Sequence, residues 1–230
     1  MKLDKYACYC MTRNIYHQIT PSLNSLLMHS DVDRVFLLTE DDDIGMELPE
    51  KVQIVNVSGQ TYFRKDGPNF CNGWTWMVLM RLVLCKVLPD IDRILALDLD
   101  TIVDQDINEV WDLPIDDYYC AAASEWRKTT KDLMYVNGGV VLWNLKKMRD
   151  GKCDEMIEDM NTIWRPLPDQ ECIAHLCKGK IYPLPSEYNA SSVTDHTMNP
   201  KIHHYAAHRN WFTTWPLAQK YKGDVIDVSK

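Results

Sequence analysis

The chain has no cysteine pair in Cys-x-x-Cys spacing, no run of 18 apolar residues and no excess of positive charge. Each absence removes a class of protein. The eight cysteines (Cys8, Cys10, Cys71, Cys85, Cys120, Cys153, Cys172 and Cys177) do not offer the spacing of a zinc site, and Cys172 and Cys177 around His175 do not supply it. Cys8, Cys85 and Cys120 lie in apolar runs, so reduced structural thiols are expected. Arg81 and Lys86 interrupt the longest apolar stretch, which argues against a membrane-spanning helix. The start, Met-Lys-Leu-Asp-Lys-Tyr, puts charge where a signal peptide needs an apolar segment. A cytoplasmic protein with no membrane anchor is the expectation. With 25 Lys and Arg against 33 Asp and Glu, and a net charge of -8, the chain is no general binder of nucleic acid or anionic membranes. An anionic ligand needs positive charge supplied locally, by a metal or a few basic residues. Internal repeats, low-complexity segments and linkers are absent too. A chain of 230 residues buries roughly 70–75% of its unfolded surface, so residues 1–230 are expected to form a single domain.

What is present is a regular alternation of strand and helix patterns. Tyr6 to Met11, Arg34 to Thr39 and Val52 to Val57 read as strands, with a loop at Thr12-Arg13-Asn14 and a helix over Ile19 to Met28. Trp74 to Val87 reads as a helix ending before Pro89, and a further strand covers Ile94 to Val103. Tyr118 to Ala123, Gly139 to Trp143, Ile181 to Leu184 and Lys201 to Tyr205 are later strands. Lys146 to Trp164, interrupted at Gly151, and Asp169 to Cys177 are later helices, with a closing helix over Trp215 to Tyr221. Glu40 to Asp43 reads as a solvated turn, since it lacks calcium-loop spacing. The predicted fold class is α/β, a Rossmann-like, mainly parallel central sheet flanked by helices.

One apolar run, Ile94-Leu95-Ala96-Leu97, finishes in Asp98-Leu99-Asp100. Burying unpaired charge is costly, so these carboxylates must reach water, a cation or strong donors. Residues two apart on a strand share a face, which predicts that both project to one point, a hard-oxygen half-site for a divalent cation. Such pairs serve haloacid-dehalogenase phosphatases, where a Thr follows two residues later, and metal-bridged nucleotide-sugar diphosphates; here Ile102 holds the Thr position. Helix caps or surface ion pairs are the plain alternative.

Further residues keep the pair company. Asn137-Gly138-Gly139-Val140 reads as a small-residue turn that lets backbone approach a ligand closely. Pro168-Asp169-Gln170 opens a helix. His203-His204-Tyr205 ends a strand, followed by His208, Arg209 and Trp211, and Arg81 lies mid-helix in apolar context, where it needs an anionic partner.

Taken together, the set resembles glycosyltransferase family 8, the glycogenin-like retaining transferases of the GT-A fold, from Tyr6 to about Trp211. The most specific parts are Leu97-Asp98-Leu99-Asp100-Thr101, Asn137-Gly138-Gly139-Val140, Asp169-Gln170 and His204-Tyr205, in that order. The resemblance implies a hexosyltransferase that moves a sugar from a UDP-glucose or UDP-galactose type donor to an acceptor hydroxyl. Asp98, Asp100 and His204 are then the ligands of manganese, with magnesium as the alternative. His204 is preferred over His203 because the family pattern places an apolar residue in the slot of His203. Thr12, Arg13 and Tyr16 fall where the first loop holds uracil and ribose, Tyr16 by stacking. Arg81 and the Asp98-Leu99-Asp100 segment match donor-binding positions. Asn137, Gly138 and Asp169 match contacts to the donor sugar, and Gln170 matches the residue beneath the anomeric carbon.

There are departures. The family closes with His-aromatic-x-Gly-x-x-Lys-Pro-Trp. Here the run is one residue shorter, with Ala207 for Gly and Arg209 as the substitute cation for the diphosphate. Arg13 stands where relatives carry a small polar or acidic residue. The acceptor implied is a glycan, a protein or a lipid-linked sugar, and a homo-oligomer is compatible with the pattern. Trp74, Trp76, Trp126, Trp211 and Trp215 are candidate acceptor contacts, and the Thr61–Gly67 loop is a candidate lid or an ordinary surface loop. The rival readings are a metal-dependent phosphatase or nucleotide-sugar hydrolase, and a non-catalytic nucleotide-sugar binder.

Overall fold

A computed structural model describes residues 3–228 apart from Asn72, Arg127 and Arg209. The first unit is β1 (Tyr6–Cys10), α1 (Ile19–Met28), β2 (Arg34–Thr39) and β3 (Val52–Asn56), and the next is α2 (Leu84–Val87) with β4 (Arg93–Leu97) and β5 (Thr101–Val103). The second half holds β6 (Cys120–Ser124), β7 (Val136–Asn144), α3 (Leu145–Met148), α4 (Lys152–Thr162), α5 (Pro168–Leu176), β8 (Ile181–Pro183), β9 (Ile202–His204), α6 (Trp211–Thr214) and α7 (Pro216–Lys220).

Seven strands form one sheet in the order β3-β2-β1-β4-β7-β6-β8. Neighbours β3, β2, β1 and β4 are parallel, β7 runs antiparallel to both β4 and β6, and β8 is parallel to β6. The mainly parallel α/β sheet expected from the alternation is therefore present, with β7 alone reversed. Its strands are apolar on both sides because both faces are covered. Cys8, Leu38, Ile94 and Ala96 pack into one core with helices α4 and α5, while Tyr9, Leu37, Leu95 and Leu97 pack into the other with α1.

Three local expectations are corrected. The aspartates do not lie on a strand, because β4 stops at Leu97 and Asp98–Asp100 turn the chain into β5. Gly138 and Gly139 form no turn; they lie within β7, all nine residues of which are buried. The 74–87 helix is a 3-10 helix over Trp76–Val83 that becomes α-helical only at Leu84. The closing helix lies where it was expected, over Pro216–Lys220, and a separate short helix over Trp211–Thr214 precedes it. Gly151 breaks the helix between α3 and α4 with φ of 92°, a conformation that suits glycine. All eight cysteines are free thiols and six of them are buried. Among the described residues, no helix is long and apolar enough to cross a membrane.

The small sheet that positions the site consists of β5 and β9, antiparallel, with Thr101 opposite His204.

Candidate active site

The Asp98–Asp100 turn is held from all sides. The Asp98 N–H donates to Gly139 O at 2.8 Å, extending the β4–β7 ladder by one bond. Thr101 Oγ1 donates back to Asp98 O at 2.7 Å, and the Tyr205 N–H donates to Asp100 O at 2.9 Å. That last bond and the β5–β9 register bring His204 against the turn from more than a hundred residues away in sequence. Its Nε2 lies 3.4 Å from Asp100 Oδ1 and 3.8 Å from Asp98 Oδ2. Ligand atoms of Asp98, Asp100 and His204 all fall within 4.8 Å of one another.

This donor set fits a divalent cation. Two hard carboxylate oxygens and one imidazole nitrogen suit an ion of the manganese or magnesium type, and they leave part of the coordination sphere open for other oxygens. The second imidazole nitrogen, Nδ1, is bonded to Asn189 Oδ1 at 2.9 Å, an orienting contact typical of metal-binding histidines. Burial alone would lower the His204 pKa, but Asp100 and Asp98 overcome it and raise the ring above its ordinary value. Burial would likewise raise Asp100; His204 outweighs it and holds that carboxyl low.

Arg81, only 4% exposed, organises the other side. Its NH2 bonds Asp98 Oδ1, and its NH1 bonds the carbonyl of Gly138 and lies 3.2 Å from Asp169 Oδ2. Asp98 is thus divided, one oxygen on Arg81 and the other towards His204. Burial would lower the Arg81 pKa, yet Asp98 and Asp169 keep the guanidinium charged. Burial raises Asp169 against the pull of Arg81. Gln170 is bonded at both ends of its amide: Oε1 accepts from the Gly138 N–H at 2.9 Å, and Nε2 donates to Glu125 Oε2 at 3.3 Å. Burial pushes Cys10, which feels the charges of Arg81, Asp98 and Asp169, up to about 12, so it remains a thiol and offers no nucleophile.

The two glycines of β7 have a different purpose from the one their sequence suggests. A Cβ on Gly139 would stand 2.0 Å from His204 Cε1, and one on Gly138 would stand 2.9 Å from Asp169 Oδ2. They make room for the site's own side chains. Arg81, Asp98, Asp100, Asn137, Asp169, Gln170 and His204 share the wall of one cavity of about 140 Å³, with Trp74, Val78, Leu167, Ala206 and Ala207 completing it. Larger surface hollows of about 590 and 570 Å³ have other linings.

The first-loop residues are not part of that wall. Thr12 precedes a 3-10 helix, Arg13–Gln18, and its hydroxyl donates to Asn14 Oδ1 at 2.6 Å. Arg13 makes a two-bond pair with Asp41, at 2.8 and 2.6 Å, and its N–H donates to Glu40 Oε2 at 2.8 Å. The Glu40–Asp43 turn is thus a clamp on this loop as well as a solvated corner. Tyr16 donates to Asp41 Oδ2 at 3.2 Å, and its ring is buried in the α1-side core, which leaves little of it open for stacking. Leu99, at the tip of the aspartate turn, is buried in the same core. Arg209 lies outside the described residues. Ala207, in the glycine slot, has φ of 64°, the left-handed region where an L-residue is strained.

A model of glycosyltransferase family 8 matches residues 9–211. The chain belongs to that family. Two curated relatives, from Haemophilus influenzae and Escherichia coli, are each 27% identical to it, over 124 and 146 residues. The first bears the general name of a glycosyltransferase, and the second is the lipopolysaccharide 1,2-glucosyltransferase. The matches cover 47% and 56% of this chain but only 37% and 43% of those relatives, so the chain spans less than half the length of each. Among solved structures, a galactosyltransferase named LgtC, in complex with donor and acceptor sugar analogues, superposes with a TM-score of 0.67 at 19% identity, covering 97% of this chain and 98% of that one. GlyE of Streptococcus pneumoniae gives 0.68 at 18%, covering 96% and 59%. These likenesses show the fold, which is of the GT-A type.

Sequence reasoning missed Glu125 and Asn189. Glu125, 7% exposed, ends the Gln170 amide chain, and Asn189, fully buried, holds His204. Neither stands in a local pattern that marks it out; their site partners, Gln170 and His204, lie 45 and 15 residues away. The tryptophans divide. Trp74 and Trp126 are half exposed, Trp76 stacks on Phe70, and Trp211 and Trp215 pack on Tyr205. Asn161 ties the Thr61–Gly67 loop to α4, accepting from the Arg64 N–H and donating to Tyr62 O, so the loop is no free lid.

Proposed function

We propose that this protein transfers a hexosyl group from a UDP-sugar to an acceptor hydroxyl, with a divalent cation of the manganese type and with retained anomeric configuration. The observation that carries this reading is the charge balance of the cavity. Three carboxylates, Asp98, Asp100 and Asp169, face one guanidinium, Arg81, and one imidazole, His204. A diphosphate brought there adds negative charge in a place poor in water, where Coulomb repulsion is strong. A divalent cation on Asp98, Asp100 and His204 would cancel that surplus of negative charge, and when bound it would supply charge neutralisation for the departing diphosphate.

The remaining roles follow from the contacts. Arg81 orients Asp98 and Asp169 together, so the metal side and the sugar side of the site are locked in one geometry. Asp169 and Asn137 offer acceptors and a donor to sugar hydroxyls. Gln170 is a poor nucleophile, because its Oε1 already accepts the Gly138 N–H. We therefore favour a same-face displacement, in which the leaving phosphate takes the acceptor's proton. Glu125 links the Gln170 amide to the hollow lined by Trp126, Ser191, Ser192 and Thr194, an aromatic and hydroxyl-rich surface suited to a sugar acceptor. Within the cell the reading is of a cytoplasmic protein whose residues 1–230 act as one GT-A domain.

A screen of UDP release across UDP-sugars, each with and without Mn²⁺, tests the reading, with the product anomer read by NMR. Metal-dependent release with one donor class and a retained anomer is the expected result. Absence of metal-dependent release with every donor, or an inverted product, contradicts it.

A further inference from the structure

The amide of Asn137 has only one allowed orientation. Its Oδ1 accepts the Gly139 backbone N–H at 3.1 Å, and a backbone N–H cannot be turned round. The Nδ2 must then face Gln170 Oε1, which it does at 3.4 Å. The same Oδ1 also receives Nδ2 of Asn189 at 3.0 Å. With its NH₂ group committed there, Asn189 can present only its Oδ1 to His204, 2.9 Å from Nδ1. An oxygen in that position demands a proton on Nδ1. The neutral ring then carries its free lone pair on Nε2, the nitrogen that faces Asp98 and Asp100 at 3.8 and 3.4 Å.

We infer that Asn189 is a positioning residue, which transmits the fixed polarity of the Gly139 N–H through Asn137 to His204 and selects the imidazole tautomer that can bind a cation. Left to itself, a neutral histidine between two carboxylates would place its proton on Nε2, towards the negative charge, and would have no lone pair to offer there. The chain opposes this. Reversing it would require Asn189 and Asn137 to flip together, which strands the Gly139 N–H inside β7, where an unpaired donor costs about 1–3 kcal/mol. Asn189 has no solvent to turn to, being fully buried. Its backbone is anchored as well: Thr194 Oγ1 donates to Asn189 O at 2.6 Å, and the next residue, Ala190, bonds both Ile202 O and the His204 N–H, at 2.9 Å each. Asn189 and His204 therefore sit on neighbouring segments of one rigid unit.

The inference rests on the cation reading of the Asp98-Asp100-His204 cluster for its purpose, but its first test is independent of metal. In metal-free protein, at a pH where the ring is neutral, ¹⁵N spectra of His204 should report the Nδ1–H tautomer. An Nε2–H tautomer in the wild type overturns the inference. The second test measures Mn²⁺ affinity by the electron paramagnetic resonance of the free ion. Asn189→Ala, with folding checked by circular dichroism, should bind about 10–100-fold more weakly. A folded Asn189→Ala with wild-type affinity overturns the inference. A wild type that shows Nδ1–H yet binds no Mn²⁺ supports the tautomer inference and refutes the cation reading, so the two failures are distinct.

Discussion

Around His204 the side chain is 3% exposed and both ring nitrogens are engaged, Nδ1 by Asn189 and Nε2 by carboxylates. Around Arg13 the side chain is 71% exposed, and its guanidinium is held by Asp41, itself 30% exposed. The family resemblance assigns both regions to the same donor, one to the diphosphate and the other to the base. The first is fixed before any ligand arrives, as chemistry on a leaving phosphate requires. The second is a surface ion pair, of the kind that contributes little to stability and can exchange partners. We read the contrast as a division between a rigid reaction centre and an adaptable recognition loop, and each variant below strains one side of it.

Gly139→Ala should have the largest effect. Its Cβ would collide with the His204 ring, so either the ring leaves the aspartates or β7 shifts. Expected are loss of Mn²⁺-dependent UDP binding by more than about 100-fold and destabilisation of about 1–3 kcal/mol, read by titration and thermal unfolding. A variant with normal binding would show that the centre is less rigid than described. Gln170→Ala should follow, slowing turnover by about 10²-fold at most while donor binding is kept; complete inactivity with intact binding would instead favour an essential nucleophile. Arg13→Ala is expected to raise the donor KM a few-fold, leaving kcat and the thermal midpoint unchanged. A large fall in kcat would erase the proposed division. Ala207→Gly is the smallest, relieving the left-handed residue at the site's edge and stabilising the fold by about 0.5–1 kcal/mol.

Much of this was legible in the sequence, and the failures have a common physical cause. The strands β1, β2 and β4 and helix α1 were readable because apolar periodicity there agrees with the fold on both faces of the sheet. Arg81 was readable too, since a buried guanidinium announces a carboxylate partner. Gly138 and Gly139 misled because local preference points to a turn, whereas the reason for glycine is side chains arriving from elsewhere, Asp169 of α5 at Gly138 and His204 of β9 at Gly139. The aspartate pair misled in the opposite way: the convergence of the carboxylates is real, but a turn closed by Thr101 produces it, not the pleat of a strand. Asn189 and Glu125 were invisible because the site residues their side chains hold, His204 and Gln170, lie 15 and 45 residues away.

The central claim is that Asp98, Asp100 and His204 hold the cation on which the diphosphate depends. The most direct measurement is calorimetric titration of UDP into metal-free protein, with and without Mn²⁺, for wild type and for Asp100→Ala. Wild type should bind UDP at least about 100-fold more tightly with the metal, and Asp100→Ala should show no such gain. UDP binding that is indifferent to Mn²⁺ in wild type, or a full metal effect retained in Asp100→Ala, would contradict the account.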